Sequence, residues 1–304
     1  MARRLRRSAE EQLADQIAST LLSTRQGRQF LLVAIIVGVI TFGAYWLWQN
    51  QLRPRHPVGP TVRLATWNLR QFSESRKHVD LQRIAGIIRD NHFDLIAIQE
   101  VKRDGEEVDR LLSVLGSPWR AARFSDTSGN YERFAFIYNA DHVQEIGTPH
   151  FIATTDAVIF DRTPYQDTFK AGNFAFTLIE VHLSYTNTTR RRQEAEALAH
   201  FAKRLKETSA EKDVIVCGDF NEQPPNGNLH YFLDQGWTSL NGDPTNLGST
   251  EIYDTFLIDP QQTKQWNGVA GSVHFDEQLY GNDDKQAEEE ISDHRPAYAD
   301  FATN

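Results

Sequence analysis

The sequence predicts an α/β (α+β) fold: a four-layer sandwich of two packed mixed β-sheets flanked by helices, preceded by one transmembrane helix. Three observations carry this expectation. Apolar, β-prone runs at 62–67, 94–98, 133–138, 174–183, 213–217, 253–258 and 296–301 interleave with stretches of helical periodicity. Three of those stretches bear an apolar stripe on one face, which must be buried against something. Finally, Phe30 to Trp48 contains no charged residue. Two sheets packed face to face with helices outside bury all of the globular stripes at once.

In chain order, residues 1–29 read as a basic cytoplasmic tail with a short amphipathic helix. Ser8-Ala-Glu-Glu11 has the form of a capping box, and Leu13, Ile17 and Leu21 recur at helical spacing behind it. That face suits either a helix lying on a membrane surface or an ordinary exposed one. Residues 30–48 would make a helix about 28 Å long, close to the roughly 30 Å hydrocarbon core of a bilayer. Trp46 and Trp48 stand at its end, where an aromatic belt belongs. A cleaved signal peptide fits less well, because the apolar run is too long and no small-x-small site follows it. Residues 49–61, with Arg53-Pro-Arg-His-Pro57 and Gly59-Pro60, read as a stiff linker. Arg3, Arg4, Arg6, Arg7, Arg25 and Arg28 all precede the span. Their position favours a single-pass protein of a bacterial inner membrane with its C-terminal domain in the periplasm. Cys217 is the one cysteine, so no intramolecular disulfide forms, and either compartment is compatible.

Residues 62–304 are long enough for one catalytic domain with a substantial core. His78 to Asn91 sets Leu81, Ile84, Ile87 and Ile88 on one helical face, and Glu107 to Leu115 does the same with Val108, Leu111, Leu112 and Leu115. Arg190 to Glu207 offers Leu198, Phe201 and Leu205. The polar stretch from Gly281 to Glu290 reads as a mobile loop.

Polar residues stand just after several of the strand-like runs. Val62-Arg-Leu-Ala-Thr-Trp67 ends at Asn68, and Asp94-Leu-Ile-Ala-Ile98 at Gln99-Glu100. Val214-Ile-Val-Cys217 runs into Gly218-Asp219-Phe220-Asn221, Tyr253 precedes Asp254, and Asp293-His294 precedes the last run. Side chains at strand ends escape burial while keeping rigid support, so sites are commonly built there. Hard oxygen donors such as Glu100 and Asp293 suit Mg2+, with Mn2+ or Ca2+ as substitutes. Zinc is disfavoured by the single cysteine and by the lack of a His-x-x-x-His pair. A hydrolytic site for phosphate esters needs charge neutralisation, an activated water and a stabilised leaving oxygen. Taken singly, each residue has a plainer explanation: Asp219 and Asn221 as turn formers, His182 as a buried structural histidine, Arg162 as half of an ion pair.

Together and in this order, the segments resemble the endonuclease/exonuclease/phosphatase superfamily, most closely its deoxyribonuclease I branch. Tyr131-Glu132-Arg133-Phe134-Ala-Phe-Ile-Tyr138 and Asp161-Arg162-Thr163-Pro164, followed by a strand ending at His182, are the segments similar to the nuclease branch. The resemblance runs from Val62 to Phe301. It implies two carboxylate–histidine dyads, Glu132 with His182 and Asp254 with His294. His294 would handle the attacking water and His182 would protonate the leaving oxygen. Asp219 and Asn221 would bind metal or orient the phosphate, Asn68 likewise from the opposite side, and Glu100 and Asp293 would ligate metal. Arg162 would contact a non-bridging phosphate oxygen. Tyr131 falls near, though out of register with, a tyrosine that the nuclease branch inserts into the minor groove.

Charge bears on the substrate. Positions 1–61 carry eight basic and three acidic side chains, whereas 62–304 carry 24 and 38. An acidic domain gains little non-specific attraction to a polyanion. Lys102, Arg103, Arg133 and Arg190-Arg191-Arg192 could still form a basic rim around an acidic centre. Three functions follow as expectations: a membrane-anchored deoxyribonuclease I-like endonuclease acting on DNA; a lipid phosphodiesterase (sphingomyelinase-like) or small-molecule phosphatase using the same site; or an inactive binding or scaffold module. No protein partner is predicted.

Overall fold

The computed structural model describes residues 60–153, 160–223 and 227–304, together with Gln29. The expected tail, membrane span at 30–48 and linker lie outside the described residues, apart from Gln29 and the linker's last two positions. Among the described residues, no helix is long and apolar enough to cross a membrane. Met1–His56 and Pro57–Asn304 separate as two units, and the sheets belong to the second.

Sheet one has the strand order β12-β13-β1-β2-β4-β3: β1 Thr61–Phe72, β2 Leu95–Lys102, β3 Trp119–Ala121, β4 Glu132–Asn139, β12 Trp266–Ser272 and β13 Ala297–Ala302. Sheet two has the order β10-β11-β9-β8-β7-β5, with β6 paired to β7. Its strands are β5 Gln144–Glu145, β6 His150–Phe151, β7 Tyr165–Ala171, β8 Phe174–His182, β9 Val214–Asp219, β10 Thr238–Ser239 and β11 Asp254–Ile258. Each sheet is mixed: β1 and β2 run parallel, as do β8 and β9, and the other pairings are antiparallel.

Period-two alternation assigns the faces. Val62 and Leu64 of β1, Phe134 and Phe136 of β4, Phe176 and Leu178 of β8 and Ile215 and Cys217 of β9 belong to one cluster between the sheets. The alternate residues turn outward. Trp67, Ile96 and Ile98 meet α1 Leu81–Asp90 and α2 Glu106–Leu115, while Ile179, Val181 and Val216 meet α3 Thr188–Thr208. Helices, sheet, sheet and helices therefore form four layers. Asp80 caps α1 by accepting a hydrogen bond from the Arg83 amide, and Asn187 does the same for α3 from the Arg190 amide.

Three differences from the sequence expectation have physical causes. Gly281–Glu290 is no loop: Asp283 caps a short helix, α6 Asp284–Glu290, which follows α5 Phe275–Tyr280 and buries Ala287. With one buried side chain, the helix gives no periodic signal. Strands β7 and β12 lack an apolar run, the first because Gln166, Asp167 and Lys170 interrupt it, the second because of its glycines. A short 3-10 turn, Gly227–Leu229, leads into a small helix, α4 His230–Leu233.

Candidate active site

The inward-facing rows of the strands turn polar at one end of the interface between the sheets. On β8, Phe176 and Leu178 are followed at the same spacing by Glu180 and His182; on β9, Ile215 and Cys217 by Asp219; on β4, Phe136 and Phe134 lead back to Glu132. Register aligns them, because His182 pairs with Asp219 and Asp219 with Asp254. Gly218 permits this: it lies at φ 138°, and a Cβ there would come within 2.1 Å of the Val181 carbonyl oxygen. Glu100 breaks the alternation. Its φ of 60° and the register shift between Ile98 and Val101 turn an outward position toward the cleft. Asn221, at φ 49°, is turned in the same way after β9.

The cleft has a volume of about 770 Å³ and is lined by nine of the ten residues expected there: Asn68, Glu100, Glu132, Arg162, His182, Asp219, Asn221, Asp293 and His294. Asp254, the tenth, is fully buried behind His294, with Oδ2 2.8 Å from His294 Nδ1. The second dyad is built alike, His182 Nδ1 lying 3.0 Å from Glu132 Oε2. Both imidazoles aim their other nitrogen at a single atom: Asp219 Oδ2 is 3.5 Å from His182 Nε2 and 3.8 Å from His294 Nε2. Asn68 Nδ2 donates to that same oxygen at 3.1 Å and to Glu100 Oε1 at 3.0 Å. Asn68 therefore turns its nitrogen to the carboxylates, its Oδ1 being occupied by the Arg70 amide at 2.9 Å. Asn221 Nδ2 donates to the Leu183 carbonyl at 3.0 Å. Asp293 is half exposed, and its Oδ2 lies 3.7 Å from Arg70 Nε.

The carboxylates of the two dyads are shifted in opposite directions. Burial acts to raise the Glu132 pKa, but the hydrogen bond and charge of His182, with Arg162 and Lys102, overcome it and bring the group to about 2. Asp254 is pushed up to about 6 by burial, against the pull of His294. Burial lowers His294, yet the charges of Asp254 and Asp219 and the Asp254 hydrogen bond hold it well above the ordinary histidine value.

Arg162 does more than face the cleft. Its Nε and Nη2 donate to the His182 and Leu183 carbonyls at 3.1 Å each, and Nε lies 3.3 Å from Glu132. The expected basic rim is largely absent. Lys102 pairs with Glu132, Arg103 with Glu74, Arg133 with Asp104, Arg190 with Asp161 and Arg191 with Glu222. Helix α3 does open on the arginine run. The lining instead holds seven carboxylates against the one guanidinium of Arg162. Tyr131 is 82% exposed and does not line the cleft, although Asn130 beside it does.

Sequence reasoning missed several supports. Ser292 Oγ donates to the Asn68 carbonyl at 2.6 Å and accepts the His294 amide at 3.1 Å, tying two distant segments together. Thr245 Oγ1 accepts the amides of Tyr253 and Asp254. Trp67 Nε1 donates to the His294 carbonyl at 2.8 Å. Tyr185, Tyr253 and Asn246 also line the cleft. Nothing in the local sequence around Thr245 or Asn246 marks them, whereas Tyr253 adjoins a residue already singled out.

Residues 65–294 match the Endonuclease/Exonuclease/phosphatase family. The chain belongs to that family. Its members hydrolyse phosphoric esters and depend on divalent metal, and the donor set here fits such an ion. Asp219 belongs to a cluster with Asp254 and His294 whose donor atoms lie within 4.8 Å of one another, and Glu100 and Asp293 bring two further carboxylates to the same cleft. A deoxyribonuclease from Thioalkalivibrio sp. (strain K90mix) is 27% identical over 275 residues, covering 80% of this chain and 72% of the relative. The human endonuclease/exonuclease/phosphatase family domain-containing protein 1 is 26% identical over 196 residues, covering 54% of this chain; the match spans 34% of that relative's length. Among solved structures, an endonuclease/exonuclease/phosphatase from Bacteroides vulgatus superposes with a TM-score of 0.59 at 18% identity, covering 81% of this chain and 100% of the other. A mannosyl-6-phosphatase from Bacteroides thetaiotaomicron gives 0.57 at 17%, covering 78% and 98%. At these identities the two structures establish the shared fold.

Proposed function

We propose that the chain is a divalent-metal-dependent phosphodiesterase, a deoxyribonuclease I-like endonuclease hydrolysing DNA, anchored in a bacterial inner membrane through residues 30–48 with the catalytic domain in the periplasm. The observation that carries the chemistry is the meeting of two carboxylate–histidine dyads on one oxygen of Asp219, at 3.5 and 3.8 Å. Two proton-transfer groups on either side of one point are what in-line hydrolysis of a phosphodiester requires. His294, oriented by Asp254, takes the proton of the attacking water at Nε2; His182, oriented by Glu132, gives one to the leaving oxygen from its own Nε2. Arg162 fixes the backbone beneath His182 and directs charge toward a non-bridging phosphate oxygen. A bound Mg2+, Mn2+ or Ca2+ supplies neutralisation of the phosphoryl charge. Glu100, Asp219 and Asp293 would hold it, and Asn68 sets the spacing of the first two. The deoxyribonuclease relative supports DNA as substrate.

A small phosphate ester is the second substrate to weigh, favoured by the seven carboxylates of the lining, which repel a long polyanion. A lipid fits worse, since Leu247 is the sole aliphatic side chain lining the cleft. The full-length chain in detergent, given Mg2+ or Mn2+, should nick supercoiled plasmid and leave sphingomyelin and hexose 6-phosphates untouched. Turnover of a sugar phosphate with intact plasmid would replace the nuclease assignment. Fractionation of cells expressing the chain, followed by protease treatment of spheroplasts, tests anchor and orientation. Recovery in the soluble fraction would remove both.

A further inference from the structure

One wall of this acidic cleft is aromatic. Among the described residues only four large hydrophobic side chains are exposed, and Tyr185, at 70%, is the one that also lines the cleft. It stands three positions after His182, on a loop clamped from several sides. Arg191 Nη1 donates to the carbonyls of Ser184 and Tyr185 at 2.8 Å each, and Arg191 Nε is held by Glu222 at 3.3 Å. Buried Glu194 accepts the Ser184 amide at 2.8 Å, and Asn187 immediately beyond caps α3. The backbone is fixed while the ring is left in water.

Tyr253 forms the rest of the wall. It is half-buried, lines the cleft, and has its ring 6.1 Å from that of His294. Both phenols line the cleft that also holds His182 and His294. A rigid ring offered to solvent beside a polar, negatively charged cleft has one strong use: it binds a planar partner without needing positive charge. Such affinity would offset the repulsion that the carboxylates exert on phosphates.

We propose that Tyr185, with Tyr253 behind it, stacks on a nucleobase flanking the scissile phosphate, making this wall a determinant of nucleic-acid specificity. The proposal rests on the nuclease function proposed above and names the substrate feature it reads. Sugar phosphates and lipid headgroups offer no comparable aromatic plane.

The test compares two single-stranded oligodeoxynucleotides of equal length, one with bases and one built of abasic tetrahydrofuran units, cleaved by the full-length chain with Mg2+ or Mn2+. Stacking contributes enough that Tyr185→Ala should lower the ratio of kcat/KM for base-bearing over abasic strand by about five- to a hundredfold, chiefly through KM. Tyr185→Phe should restore the ratio, and Leu279→Ala, an exposed side chain elsewhere, should leave it at the wild-type value. Equal kcat/KM of the wild type on both strands, or an unchanged ratio in Tyr185→Ala, overturns the stacking proposal alone. A wild type inert on both strands yet active on a small phosphate ester overturns the nuclease function, and the proposal with it.

Discussion

The two dyads share a hydrogen-bonding plan and differ in everything around it. Glu132 lies between two cations and an imidazole, with Lys102 Nζ at 3.1 Å, Arg162 Nε at 3.3 Å and His182 Nδ1 at 3.0 Å, and is brought down to about 2. Asp254 is sealed behind His294 and rises to about 6, one of its oxygens having no hydrogen-bond partner. The imidazole of the second pair faces Asp219 and Asp293 as well, and these acids hold its proton on it. Both histidines face Asp219, but the acid behind His294 is sealed and shifted up whereas the acid behind His182 is shifted down. His294 is the one whose protonation answers to positive charge entering the cleft.

The largest expected effects test this division. His182→Ala and His294→Ala should each lower kcat on DNA by about 10²- to 10⁴-fold with unchanged circular dichroism, and the double variant should fall well short of the product of the two. A thymidine p-nitrophenyl phosphodiester separates the roles, because its leaving group needs no proton. On this ester His182→Ala should regain most of its rate while His294→Ala stays impaired. The opposite pattern exchanges acid and base.

Next in size is a stability effect of Glu132. Its folded pKa of about 2 lies below the ordinary 4.5, so its ionised form stabilises the fold. That contribution is complete above about pH 4.5 and is lost as pH falls toward 2, on the order of 3 kcal/mol in all. Urea midpoints recorded from pH 2 to 7 should show Glu132→Gln less stable than wild type at neutrality and the two converging in acid. Parallel curves would mean that the cations around Glu132 serve catalysis without contributing to stability.

Much of this contrast was legible before the fold. Asn68, Asp219 and Asp254 adjoin strand-like runs, and period-two spacing carries a core-facing row into the cleft without further information. Glu100 was legible as part of a motif, but its aim comes from a bulge and a left-handed backbone that no pattern announces. The paired state of Lys102, Arg103 and Arg191 was illegible, since each partner is remote in sequence: Glu132, Glu74 and Glu222. A row of basic residues read in one dimension suggested a rim. In three dimensions those charges are taken up by carboxylates and, for Lys102 and Arg191, by backbone carbonyls as well, and the cleft is left acidic. The helix Asp284–Glu290 escaped for a related reason, since it lies on the cleft's edge, with Asp284 and Glu288 lining it, and buries little.

The smallest effect asks whether the second dyad contributes to stability at all. Replacing Asp254 by Asn removes the pair's attraction to His294, which destabilises, and also removes the cost of burying a carboxylate in a fully enclosed position, which stabilises. The amide can still accept a hydrogen bond from His294 Nδ1. These opposing terms should nearly cancel, so the urea midpoint of Asp254→Asn at pH 7 should correspond to a change of about 1 kcal/mol or less. Glu132→Gln should lose clearly more under the same conditions, because its ionised form gains from two cations and the His182 hydrogen bond at once. A loss in Asp254→Asn as large as that of Glu132→Gln would show that the His294 pair is itself a net support of the fold, and that the two sites differ only in degree.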